Sequence, residues 1–185
     1  MKSLLITFGQ KKRIILLGIL LMVNAALFSL PGLPVNIATV TQEAPSAQIP
    51  DMQISYSAND VYDFLTFIES EGRQAYQWMH LTTDLAFPII YGLFFFSVSG
   101  YLLLQVGWTQ YFIALSGILA GGFDLAENFS LLYITHRYPK FLPGLVNLTR
   151  IFTIGKFSFM FISVLVIGLL SINLIRRSSF DPDRN

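Results

Sequence analysis

The sequence contains no cysteine, so a disulfide framework, a thiolate metal centre and a cysteine nucleophile are all excluded. Charge is scarce: Asp, Glu, Lys and Arg make up 12 % of the 185 residues, about half the share usual in a soluble domain. Histidine is confined to His80 and His136. Basic and acidic residues almost cancel, 12 against 11, and no basic stripe interleaved with aromatics runs through the chain. Nucleic acid is therefore not an expected partner. G-x-S-x-G, P-loop and G-x-G-x-x-G motifs are also missing, which removes the common signals for a serine hydrolase, a nucleotide phosphate cradle and a dinucleotide fold.

What fills the space is apolar. Hydrophobic residues make up 54 % of the chain, with 17 phenylalanines and a mean hydropathy of +0.59. A water-soluble core of this length could not hide that much apolar surface; lipid could. A helical crossing needs about 20 mostly apolar residues. The segments near 14–30, 79–104, 111–134 and 148–175 supply four such stretches in one membrane domain, residues 1–185. The expected fold is all-α, an integral membrane four-helix bundle. The first segment resembles a signal peptide in its basic start and in Val23-Asn24-Ala25, but its apolar run continues through Phe28, so it is read as an uncleaved anchor.

Orientation follows the flanking lysines and arginines. Lys2, Lys11, Lys12, Arg13, Arg176, Arg177 and Arg184 share one face, and Arg73, Arg137 and Lys140 share the other. Seven against three places both termini in the cytoplasm, and the setting is a plasma membrane with the bilayer itself as partner. The loop 31–78 then lies outside. Pro31 to Pro50 reads as irregular linker. Ser57-x-x-Asp60 has capping-box spacing, and Val61, Phe64, Leu65 and Ile68 mark one apolar helical face. This short amphipathic helix is expected to pack on the ends of the spans and to end or bend at Gly72.

Ionisable groups inside a membrane are expensive, so they mark candidate sites. Arg73, Tyr76, His80, Asp84 and Tyr91 form one helical stripe on the second span. Asp124, Glu127 and Asn128 share a face of the third. Thr149, Thr153, Lys156 and Ser163 share a face of the fourth, with Arg150 to one side near the outer end. All these charges fall toward the extracytoplasmic side, and one polar cluster is expected there. Lys156 lies too deep to reach water easily, so it is expected to pair with Asp84 or Asp124. His80-x-x-x-Asp84 offers two metal ligands on one face but no third, and neither a metal site nor a cofactor is expected. Two readings of the cluster stay open. It can fix helix order and register, helped by the close approach that Gly117-x-x-x-Gly121 and Gly122 allow. It can equally serve a small lipophilic ligand as a binding or acid–base site. An ion conduit is disfavoured, because the cytoplasmic half of the same helices is nearly all apolar.

Gly72-Arg73-x-x-Tyr76, Asp84-x-x-Phe87-Pro88-x-x-Tyr91, Asp124-x-x-Glu127-Asn128 and Lys156, spread over about Ser57 to Ile175, resemble a group of uncharacterised small four-helix bacterial membrane proteins. The resemblance implies a bacterial inner membrane and the four-helix fold, and brings no activity. Four spans with buried acids and a histidine are also similar in layout to the emopamil-binding/sigma-2 receptor family, which includes sterol isomerases. That similarity is at fold level only.

Overall fold

A computed structural model describes residues 1–30, 37–41 and 48–180. Most of the linker expected between Pro31 and Pro50, and Arg184 of the basic tail, lie outside the described residues. The described residues are helical, with no strand. They form α1 (Lys2–Phe8), α2 (Lys11–Ser29), α3 (Ile37–Val40), α4 (Ala58–Phe67), α5 (Glu69–Leu81), α6 (Thr83–Val106), α7 (Leu115–Arg137) and α8 (Pro143–Phe180), plus short 3-10 turns at Pro50–Met52 and Tyr111–Ala114.

Among the described residues three stretches are long and apolar enough to cross a membrane: Glu69–Val106, Tyr111–Arg137 and Pro143–Arg177. The first expected crossing is helical as α2, 19 residues long, but it is not one of these three. In the most apolar part of α8 only 11 % of the residues are buried, so nearly its whole surface is left for an apolar solvent.

Helices α6, α7 and α8 pack on one another, and α2 packs along α6. Glycine permits the tightest of these approaches. A Cβ on Gly121 would stand 2.5 Å from the carbonyl oxygen of Pro88, and one on Gly117 2.6 Å from Phe95. Both clashes lie in the α6–α7 interface. Gly122 has open space around it. At its far end α6 stops at Gly107, whose φ of 75° is the left-handed cap that glycine takes without a Cβ penalty.

The expected second span begins earlier than 79 and is interrupted. α5 starts at Glu69, and the backbone breaks at Thr82 (φ −124°, ψ −94°) before α6 resumes. The expected helix from Ser57 also ends elsewhere. It stops at Phe67, and Glu69 turns the chain with a φ of 52°. Gly72 sits inside α5, where its role is contact: a Cβ there would meet Ile68 at 2.7 Å and the Val40 carbonyl at 2.8 Å. The capping box is complete, with Asp60 N–H donating to Ser57 and Ser57 N–H donating to the Asp60 carboxylate at 2.7 Å. The Ser57 N–H, and to a lesser extent the Ser57 hydroxyl, hold the Asp60 carboxyl below its ordinary range.

Three layers result. Val61, Phe64, Leu65 and Ile68 are all buried, in one apolar cluster with Tyr76 and Met79 of α5, Leu131 and Ile134 of α7 and Val146 of α8. A second apolar cluster, around Leu5, Phe96, Leu103, Ala114 and Leu170, fills the opposite end. α1 contributes Leu5 to it, packing against Gly100 of α6. Most of the buried charge lies between the two.

Candidate functional site

Lys156 is the centre of the polar layer. Its Nζ lies 2.7 Å from Glu127 Oε2 and 3.2 Å from Asp124 Oδ1, and donates to the main-chain oxygen of Asp51 at 2.9 Å. The Glu127 approach is the shortest of the three. Helical spacing explains the arrangement. Asp124 and Glu127 sit three residues apart on α7, so both face α8 at the level where Lys156 projects.

The remaining oxygens are filled by hydroxyls. Thr153, one turn before Lys156 on α8, donates to Glu127 Oε1 at 2.6 Å. Tyr56, just ahead of α4, reaches the same oxygen at 3.3 Å and shares a 2.9 Å hydrogen bond with Thr153. Burial, and then the Glu127 charge, hold the Tyr56 phenol above its ordinary range, so it stays a proton donor at neutral pH. Tyr91 of α6 donates to Asp124 Oδ2 at 2.9 Å. Pro88 explains Asn128. A proline has no N–H, so it leaves the carbonyl four residues earlier, that of Asp84, without its helical partner. Asn128 Nδ2 supplies that bond at 2.8 Å.

A second group adjoins the first. His80 Nδ1 lies 2.6 Å from Asp84 Oδ2 across the break at Thr82. The Tyr76 hydroxyl donates to Asp51 Oδ1 at 2.9 Å, and its ring lies 4.3 Å from that of His80. One ligand atom each from Asp51, His80 and Asp84 fall within 4.8 Å of one another. His80 Nε2 is buried and has no hydrogen-bond partner.

Eight of the ten residues singled out from sequence thus meet in one region: Tyr76, His80, Asp84, Tyr91, Asp124, Glu127, Asn128 and Lys156. Arg73 and Arg150 do not. Arg73 turns away to donate to the Leu65 carbonyl at 2.7 Å and lies over the Tyr138 ring at 4.4 Å. Arg150 is half-buried and forms no ion pair with a described residue. Of the two partners expected for Lys156, one is found, together with an acid that was not expected. Asp124 is one, but Asp84 is engaged by His80, and Glu127 makes the shortest contact. Sequence reasoning did not place Asp51 and Tyr56 in the site. Both lie in the segment between α3 and α4, where no periodicity fixes a direction, so no local signal pointed inward.

A cavity of about 410 Å³ opens beside this network. Asp51, Asp84, Asp124 and Lys156 form its polar end. Ala25 and Phe28 of α2, Phe87 of α6, and Phe157 and Met160 of α8 form apolar walls. Ile49 and Met52, on either side of Asp51, and Met79 of α5 complete the lining. The cavity is large enough for a small ligand. Comparison with protein-family models, with curated proteins and with solved structures finds no match.

Proposed function

We propose that the chain is a four-span integral membrane protein of a bacterial inner membrane, with α2 as the first span and both termini cytoplasmic. Its cavity is a binding or acid–base site for a small lipophilic molecule carrying a polar group. The observation that carries this reading is the division of the cavity lining. Carboxylates and one ammonium, gathered by their contacts with one another, share the lining with aromatic and thioether side chains. A ligand oriented by that contrast would put its polar group against Asp84, Asp124 and Lys156, in the outer part of the membrane. Its apolar body would lie between α2 and α8, where it could arrive from lipid. Carboxylates and phenols in such a setting are suitable proton donors and acceptors.

Mass spectrometry of lipophiles retained by the detergent-purified protein tests the reading. A reproducible molecule should be retained by the parent and by Gly122→Ala, and lost from Ala25→Trp, which fills the cavity. Equal retention by all three, or no retained molecule, would count against it. Reporter fusions at Asn185 and between residues 42 and 48 test the orientation. A cytoplasmic signal from the second position would reverse it.

A second reading, a structural or assembly protein, is favoured by one observation. Lys156, Asp124 and Glu127 partner one another within the protein without a ligand. A co-purifying protein partner with no retained lipophile would support it.

A further inference from the structure

The buried network is not balanced in charge. Asp51, Asp84, Asp124 and Glu127 bring four carboxylates, and Lys156 is already engaged by Asp124 and Glu127. Neither Asp51 nor Asp84 has a lysine or arginine within ion-pair distance among the described residues. Their side-chain partners are the Tyr76 hydroxyl and the His80 imidazole. Asp51 is 8 % exposed and Asp84 7 %. Two carboxylates held that far from water need a compensating cation or a proton. The place where such a cation would sit is defined by the three ligand atoms of Asp51, His80 and Asp84.

We infer that Asp51, His80 and Asp84 form a binding site for a divalent transition-metal ion at the polar end of the cavity. One imidazole and two carboxylates are a borderline nitrogen–oxygen donor set, suited to zinc and its neighbours rather than to calcium or magnesium. Zinc places such ligands about 2.0–2.2 Å away, so two of them in a tetrahedron stand about 3.4 Å apart. The 2.6 Å His80–Asp84 contact opens by under an ångström as the metal replaces the shared proton, and the Asp51 carboxylate, within 4.8 Å, closes in by at most about 1.4 Å. Three protein ligands leave a position unfilled. Asp51 and Asp84 both line the cavity, so that position faces it and is open to water or to an oxygen of a bound molecule. His80 and Asp84 lie on either side of the Thr82 break, near the end of α5 and the start of α6. The third ligand comes from the turn at Pro50–Met52, which Lys156 anchors through the Asp51 carbonyl.

This inference goes beyond the cavity reading and is tested without any lipophile. The full chain in detergent is stripped with chelator, then titrated with Co²⁺ and with Zn²⁺. Equilibrium dialysis should give one zinc per chain, and Co²⁺ should develop visible ligand-field bands that Zn²⁺ abolishes. Asp51→Asn and His80→Gln should each weaken binding at least about tenfold, whereas Asp60→Asn, an acid outside the site, should bind as the parent does. Asp51→Asn is the decisive variant, because Asp51 lies in a turn and a circular-dichroism melt can confirm that the helices persist. Zinc no higher than in a detergent blank, or variants that bind like the parent, would overturn the site.

Discussion

Removing the Lys156 ammonium is the most informative single change. Lys156→Met keeps the length of the side chain and deletes the charge that three oxygens share. With an effective dielectric of about 20, the attraction at 2.7 Å to Glu127 is about 6 kcal/mol and that at 3.2 Å to Asp124 about 5 kcal/mol. Desolvation of the three ions, several kcal/mol each, offsets most of this. The measurable loss is therefore the cost of orphaned carboxylates, about 3–5 kcal/mol. The two acids are not equivalent. Glu127 makes the shorter contact with the ammonium and its side chain is fully buried, whereas Asp124 lies farther from the ammonium and lines the cavity. Adding Glu127→Gln should therefore recover more than half of the loss, and adding Asp124→Asn distinctly less. Reversible unfolding in mixed detergent micelles, followed by circular dichroism on the parent, the single variants and both doubles, supplies the coupling energies. A Lys156→Met protein within about 1 kcal/mol of the parent, with no coupling to either acid, would refute the network as a unit. Equal rescue by the two acids would refute the assigned inequality.

Tyr91→Phe removes one hydrogen bond to a buried carboxylate and should destabilise by about 1.5–3 kcal/mol in the same assay. Gly121→Ala forces a Cβ against the Pro88 carbonyl and should cost about 1–3 kcal/mol, while Gly122→Ala, one residue on, should be neutral in thermal melts. Ser57→Ala breaks the capping box and should lower stability by about 1 kcal/mol, seen as earlier hydrogen exchange in α4. The lowered Asp60 carboxyl makes that cap pH-dependent. Its contribution is complete above the unfolded carboxyl's ordinary titration range and is lost as pH falls through the lower folded value. The difference in stability between the parent and Asp60→Asn should therefore shrink on acidification, and a difference that grows would contradict the assignment.

The helical class and much of the site were legible because both rest on local periodicity. Apolar runs marked the three long helices. The i, i+3, i+4 spacing put Asp124, Glu127 and Asn128 on one face of α7, and Ser57-x-x-Asp60 marked the start of α4. Depth along the spans was enough to bring the charges of separate helices to one level.

Tertiary structure decided what periodicity cannot carry. The break at Thr82 and the turn at Glu69 are backbone choices between helices that are each regular, so no hydrophobic repeat records them. Arg73 shares a stripe with Tyr76 and His80, but its long side chain reaches the Leu65 carbonyl and the Tyr138 ring. The choice of Glu127 over Asp84 as partner of Lys156 depends on how α7 and α8 rotate about their axes, which packing sets. Asp51 shows the limit most sharply. It is a loop acid by sequence, yet Tyr76 and Lys156 draw its segment onto the polar layer, where its carboxylate joins His80 and Asp84. A helix fixes the direction of each side chain through its own repeat. An irregular segment has no such repeat, and it takes its direction only from the groups it meets when the helices have packed.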